Sequence, residues 1–146
     1  MRRWAAQALA CVTGVTCVTG ATTLLAACGP SAEAIERDRV LHAIDELRDA
    51  PSDNLEARRK LVAALRGQPA VVPAIVRARD TCVTAYRLLI DGSELQSSVR
   101  SDLARGAVDP DLAARLLDAE AKIKQSATVM PDCERAIADL RLPARH

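Results

Sequence analysis

Few side chains in this sequence could do chemistry. Cys82 and Cys133 stand far apart, and Cys11, Cys17 and Cys28 crowd the start of the chain. His42 and His146 are the only histidines, and neither has a second His, Cys or carboxylate at a zinc-binding spacing. A haem would need a C-x-x-C-H attachment or an axial His/Met pair. The first is absent, and Met130 reads as filling between helices. There is no Gly-x-Ser-x-Gly elbow and no Gly-rich phosphate loop. Glu33, Glu36, Asp118 and Glu120 lie at helical spacing beside Arg and Lys, the pattern of solvated faces with intrahelical ion pairs. Folding can bring two distant carboxylates together for glycosidase-like work, but no spacing marks such a pair. The sequence therefore assigns no catalytic residue, no metal ligand and no cofactor.

The first residues carry a different kind of signal. Met1-Arg2-Arg3-Trp4 is cationic, and Ala5 to Ala27 is uncharged and rich in Ala, Val, Thr and Leu. Together they form a secretory signal pattern. The segment ends in Leu25-Ala26-Ala27-Cys28. These four residues resemble the lipobox of bacterial lipoprotein precursors: an aliphatic residue, two small ones, then cysteine. The resemblance covers the first 28 residues only. It implies that residues 1–27 are a signal peptide and that Leu25, Ala26 and Ala27 fit the pocket of signal peptidase II. Cys28 would take a diacylglyceryl group as a thioether and become the new N-terminus. Residues 28–30 would be a short tether and 31–142 a separate domain. Each acyl methylene buried in the bilayer adds about 0.8 kcal/mol, so two or three chains anchor a small domain firmly. Gly29, where an Asp would signal inner-membrane retention in enterobacteria-like species, implies the outer membrane facing the periplasm if the cell is Gram-negative. Two other readings stay open: an uncleaved anchor in which the 23 uncharged residues Ala5 to Ala27 span a bilayer, and ordinary signal-peptidase cleavage before Cys28.

The elements that must position the remaining chemistry come after this segment. Without Arg2 and Arg3, 18 basic residues face 19 acidic ones, a balance that attracts neither nucleic acid nor an anionic surface. Tyr86 is the only aromatic, since the one Trp is Trp4 and there is no Phe. The core must be Leu, Ile, Val and Ala, which suits closely packed helices better than sheets. Aromatic cages and base-stacking platforms are excluded.

The apolar period from Ser31 onward is helical throughout, and no strand pattern appears. Ser31 caps a first helix to about Asp49, with Val40, Leu41, Ile44 and Leu47 on one face, stopped by Ala50-Pro51. Asp53 and Glu56 form a capping-box pattern for a second, presenting Leu55, Leu61, Val62 and Leu65 and ended by Gly67. A third begins at Pro69 or Pro73, with a stripe of Ile75, Ala78, Cys82, Ala85, Leu89, Val99 and Leu103, and either continues through Gly92 or restarts there. Asp109-Pro110 starts a fourth, with Leu112, Leu116, Ala119, Ile123, Ala127, Met130, Cys133, Ile137 and Leu140 inward. Pro131 kinks or restarts it. The predicted fold is all-α: a bundle of three to four helices containing a long antiparallel hairpin.

If helices three and four turn around residues 106–109, facing residues have numbers summing to about 215, as 82 and 133 do. In an exported protein such a pair is expected to form a disulfide; two buried free thiols are the alternative. The bond would lie about 38 Å from the hairpin turn at a rise of 1.5 Å per residue. Tyr86, one turn after Cys82, either contacts a partner or packs beside the disulfide with its hydroxyl at the surface. The leading expectation is a non-catalytic, lipid-anchored module that binds or organises another envelope protein. A carrier whose helices part around an apolar ligand, and an envelope enzyme, are the competing classes.

Overall fold

The computed structural model describes residues 29–106 and 109–142. Residues 1–28, with the signal-like pattern and Cys28, and residue His146 lie outside them. Four helices follow one another: α1 (Ala32–Asp49), α2 (Leu55–Arg66), α3 (Pro73–Ala104) and α4 (Leu112–Arg141). The fold is all-α, and α3 and α4 form the long antiparallel hairpin joined by a Cys82–Cys133 disulfide.

The helix ends follow local chemistry. The Ser31 hydroxyl accepts the Ala34 N–H at 3.1 Å, and Ala50 before Pro51 is extended, which closes α1. The cap of α2 is Asn54, not Asp53: its Oδ1 accepts the Ala57 N–H at 3.0 Å. Asp53 lies in the turn closed by the Asn54 N–H on Pro51 O, and Asn caps as well as Asp. Glu56 is consequently free to pair with Lys60 at 2.8 Å. Of the two candidate prolines, Pro73 opens α3. The fourth helix starts at Leu112, later than Asp109-Pro110 suggests, because Asp109 Oδ1 instead closes a turn on the Asp111 N–H at 2.9 Å.

A tie across the fold replaces one expectation about the surface. Glu36 was placed on a solvated face, yet its Oε1 accepts the N–H groups of Val71 and Val72 at 2.7 and 2.9 Å. These donors just precede α3 and have no helical partner. The carboxylate thus fixes the start of α3 beside the first turns of α1, so both helices begin at the same end of the molecule.

Both hairpin helices keep a seven-residue rhythm. In α4, Ala119, Ser126, Cys133 and Leu140 recur every seventh residue and are buried, with Ile137 between the last two. Ala127, expected inside, is exposed; Ser126 takes the place and donates its hydroxyl to Ala85 O at 2.8 Å. In α3, Ala78, Ala85, Gly92 and Val99 recur likewise. A strict heptad keeps one seam facing its partner, as in coiled coils. Both helices run unbroken, α3 through Gly92 and α4 through Pro131. Gly92 is not a turn residue but a point of close approach between the two helices. A Cβ there would stand 2.8 Å from Ile123 Cγ1 and 2.9 Å from Ala119 O.

The shared core occupies one end of this hairpin. It runs along α3 from Ile75 to Ile90 and along α4 from Cys133 to Leu140, and is completed by Val40, Ile44, Leu47, Val62 and Leu65. Arg59 brackets α2 onto α3 through Asp91 (3.2 Å) and Glu94, and Arg141 reaches Asp45 of α1 at 2.6 Å. Beyond Glu94 the molecule is two helices thick. Leu103, expected on the buried stripe, is therefore 60% exposed, since no third helix covers it.

Gly92→Ala tests the close approach. Alanine is about 1 kcal/mol better in a helix interior, but overpacking costs roughly 1–3 kcal/mol. Because one colliding atom is a backbone carbonyl, the collision wins. The expected result is a lower urea midpoint than wild type; a higher one would mean that α3 and α4 do not approach this closely.

Candidate functional site

The cysteine pair is where sequence reasoning placed it. Cys82 and Cys133 are bonded, their Cα atoms are 4.8 Å apart, and both side chains are buried in the seam. A Cα separation this short requires small neighbours, and Ala78, Ala85 and Ser126 supply them. The bond closes a sequence separation of 51 residues that contains the whole turn and the outer hairpin.

Tyr86 belongs to the same buried cluster and is only 8% exposed. As a partner contact it has little surface to offer, because the interior already uses the ring. The Arg58 guanidinium lies over that ring, 5.5 Å from its centroid. Arg58 is itself 9% exposed, and its Nε is buried without a hydrogen-bond partner. The ring face partly offsets that desolvation. Arg58 escaped the sequence reading because a charged residue was taken as outward. Yet 55, 58, 62 and 65 alternate by three and four, the same spacing that places Val62 and Leu65 inside. Burial raises the Tyr86 hydroxyl above its usual range, Glu134 adds to this, and Arg48 and Arg58 oppose it.

Charged grooves surround the body. One, about 490 Å³, is open and lies between α1 and α4, lined by Arg48, Glu134, Ile137, Ala138 and Arg141. Asp45 joins its two arginines, at 3.8 Å from Arg48 and 2.6 Å from Arg141. A second, about 440 Å³, holds Arg66, Arg79, Asp80 and Arg87. Charged side chains rim both, with Ile137 and Ala138 lining the first and Val83 the second. His42 is exposed on the flank of α1, 3.4 Å from Glu46, and Asp118 pairs with Lys122 at 3.0 Å. Among the described residues no group of three His, Cys, Asp or Glu is placed to hold a metal, and no helix is long and apolar enough to cross a membrane.

The exposed large hydrophobics divide by position. Leu103 (60%), Leu116 (37%) and Leu117 (67%) sit on the two-helix end of the hairpin. There Arg115 ties the helices by reaching Asp102 at 2.8 Å and Ser98 at 2.7 Å. That carboxylate is held below its usual range, first by the hydrogen bond from Arg115. Ile35 (39%), Val71 (84%) and Leu142 (57%) sit at the opposite end, where α1 and α3 begin and α4 ends. No sequence signal separated Leu103 and Leu116 from core leucines, because the heptad pattern continues past the point where the other helices stop; Leu117 falls outside that pattern.

Two outcomes follow. Replacing both Cys82 and Cys133 with Ala should lower stability by about 4 kcal/mol in the chain-entropy model, seen as a fall in the urea midpoint; an unchanged midpoint would mean that the bond adds nothing. Tyr86 is the sole tyrosine, so its ionisation can be followed by absorbance. Its folded value is raised, so the stability it contributes is complete below about pH 10 and is lost as pH rises through the folded value. Tyr86→Phe should remove that part of the alkaline loss, and a wild-type midpoint at or below the usual value would contradict the burial. Compared with protein-family models, with characterised proteins and with solved structures, the chain matches none.

Proposed function

We propose that this protein is a non-catalytic, lipid-anchored component of the bacterial envelope whose hairpin end binds another envelope protein. The anchor is Cys28, after the lipobox-like Leu25-Ala26-Ala27; the membrane is the outer one, with the domain facing the periplasm, in a Gram-negative cell. A disulfide in the body fits an exported, oxidising setting. The near-neutral side-chain balance beyond the signal segment argues against nucleic acid as the partner.

The observation that carries the reading is the exposed trio Leu103, Leu116 and Leu117 at the end of α3 and α4 farthest from the N-terminus of α1. Exposed apolar side chains that share one surface mark interaction sites, whereas single ones need no explanation, and these three share the hairpin end where no third helix packs. The 32 residues of α3 span about 48 Å, which sets the reach from the anchored end to the leucines.

The test is a cross-linked pull-down of C-terminally tagged protein from native envelopes. Three forms are compared: wild type, Cys28→Ser, and Leu103→Glu with Leu117→Glu. The exposed leucines can be changed without disturbing the core. A specific protein captured by wild type and lost from the double variant is expected, with Cys28→Ser reducing capture if anchoring places the domain. Equal capture by the double variant would move the contact elsewhere, and no specific capture in any form would overturn the reading.

A further inference from the structure

The second apolar trio is unexplained by the hairpin reading. Ile35, Val71 and Leu142 come from α1, from the segment before α3 and from the end of α4. All three lie toward the end where α3 begins. Glu36 holds the Val71 and Val72 N–H groups, which ties that segment to the first turns of α1, next to Ile35 in the chain. Leu140 lines a groove with Ala74 and Arg77 of the first turns of α3, which brings Leu142 to the same end. Nothing in the four-helix body covers this rim.

The chain itself limits what can lie against it. Only Gly29, Pro30 and Ser31 separate Cys28 from the first helical residue. Fully extended at about 3.6 Å per residue, that connection spans no more than about 14 Å. A lipid on Cys28 would hold this end of the body against the bilayer surface. Resting on the anchoring reading above, the geometry points to the rim of Ile35, Val71 and Leu142 as a membrane-seating surface that enters the interfacial layer of the lipid to which the chain is tethered. The occupant is the bilayer's apolar boundary rather than its headgroup charge. Nearby Arg37 is paired with Asp38 at 3.3 Å, Arg79 with Asp80 at 2.8 Å and Arg141 with Asp45 at 2.6 Å, so these cations are already partnered within the protein. Shallow insertion of about 5–10 Å is the depth at which amphipathic surfaces settle. Seated in this way, the body stands upright and its hairpin end points away from the membrane.

The chain beyond the signal segment has no tryptophan, so a single introduced indole reports its own surroundings. The lipidated protein would be reconstituted in phosphatidylcholine vesicles as Val71→Trp, Leu142→Trp and Leu117→Trp, with mass spectrometry of each to read the lipid on Cys28. All three positions are exposed, so the substitutions leave the core intact. Emission from Val71→Trp and Leu142→Trp should shift to the blue and be mostly lost when the acyl chains carry bromine. Leu117→Trp should do neither, and added salt should change nothing. Lipidated protein with unquenched rim positions would overturn the seating while leaving the anchor intact. Quenching of Leu117→Trp as well would overturn it by showing a body lying flat. No lipid mass on Cys28 would overturn the anchor, and the seating with it.

Discussion

The close approach of α3 and α4 is the constraint on which the rest depends. A core without phenylalanine or tryptophan has few large side chains to fill space, so the helices must come near enough for small ones to touch. Ala78, Ala85 and Gly92 on one helix, with Ala119 and Ser126 on the other, allow this. The disulfide is compatible only with that separation, and Ser126 keeps its hydroxyl bonded to a carbonyl of the facing helix. Once the seam exists, α1 and α2 need only cover one end of it. They do so with a handful of valines, leucines and isoleucines and a few cross-helix ties from Glu36, Arg59 and Arg141.

This division of labour gives the molecule two unlike halves. The body is four helices around a shared apolar cluster and contains the disulfide. The outer hairpin is a two-helix rod whose buried side chains, among the described residues, lie between its own helices, Val99 and Ala119 among them. A two-helix rod cannot bury every apolar residue its heptads provide. Leu103 and Leu116 stay at the surface for that geometric reason, whatever use the cell makes of them, and Leu117 lies off the seam altogether.

Much of this was legible in the residues. Ser31, Pro51, Gly67 and Pro73 marked helix ends because their preferences are local. The cysteine pairing followed from counting outward from the turn, since an antiparallel hairpin pairs residues at a constant sum. What was missed depends on partners distant in sequence. Asp53 and Asn54 are both good caps, and only the turn closed on Pro51 decides between them. Glu36 looks like any solvated carboxylate until the segment before α3 arrives beside it. Ser126 and Ala127 differ in hydropathy in the misleading direction, and only the seven-residue spacing from Ala119 and Cys133 identifies the serine as inward. Arg58 is similar: its spacing says buried, its charge says exposed, and the Tyr86 ring resolves the conflict. The N-terminal motif and the site it implies belong to residues 1–28, where the argument stays one of sequence.

The position of the disulfide also governs how the hairpin moves. The disulfide closes the seam in the four-helix body, and the chain itself closes it again where Ala104 leads to Leu112, so the outer hairpin is held at both ends. No third helix covers the turn end, so local opening should cost least there and should be checked at the Gly92 contact and the Arg59 bracket. Backbone amides should then exchange along a gradient, fastest in the last turns of α3 and the first of α4 and slowest around Cys82 and Cys133. Any molecule gripping the outer leucines would hold the two helices together at the turn end, and would register as slower exchange in amides well removed from the surface it touches.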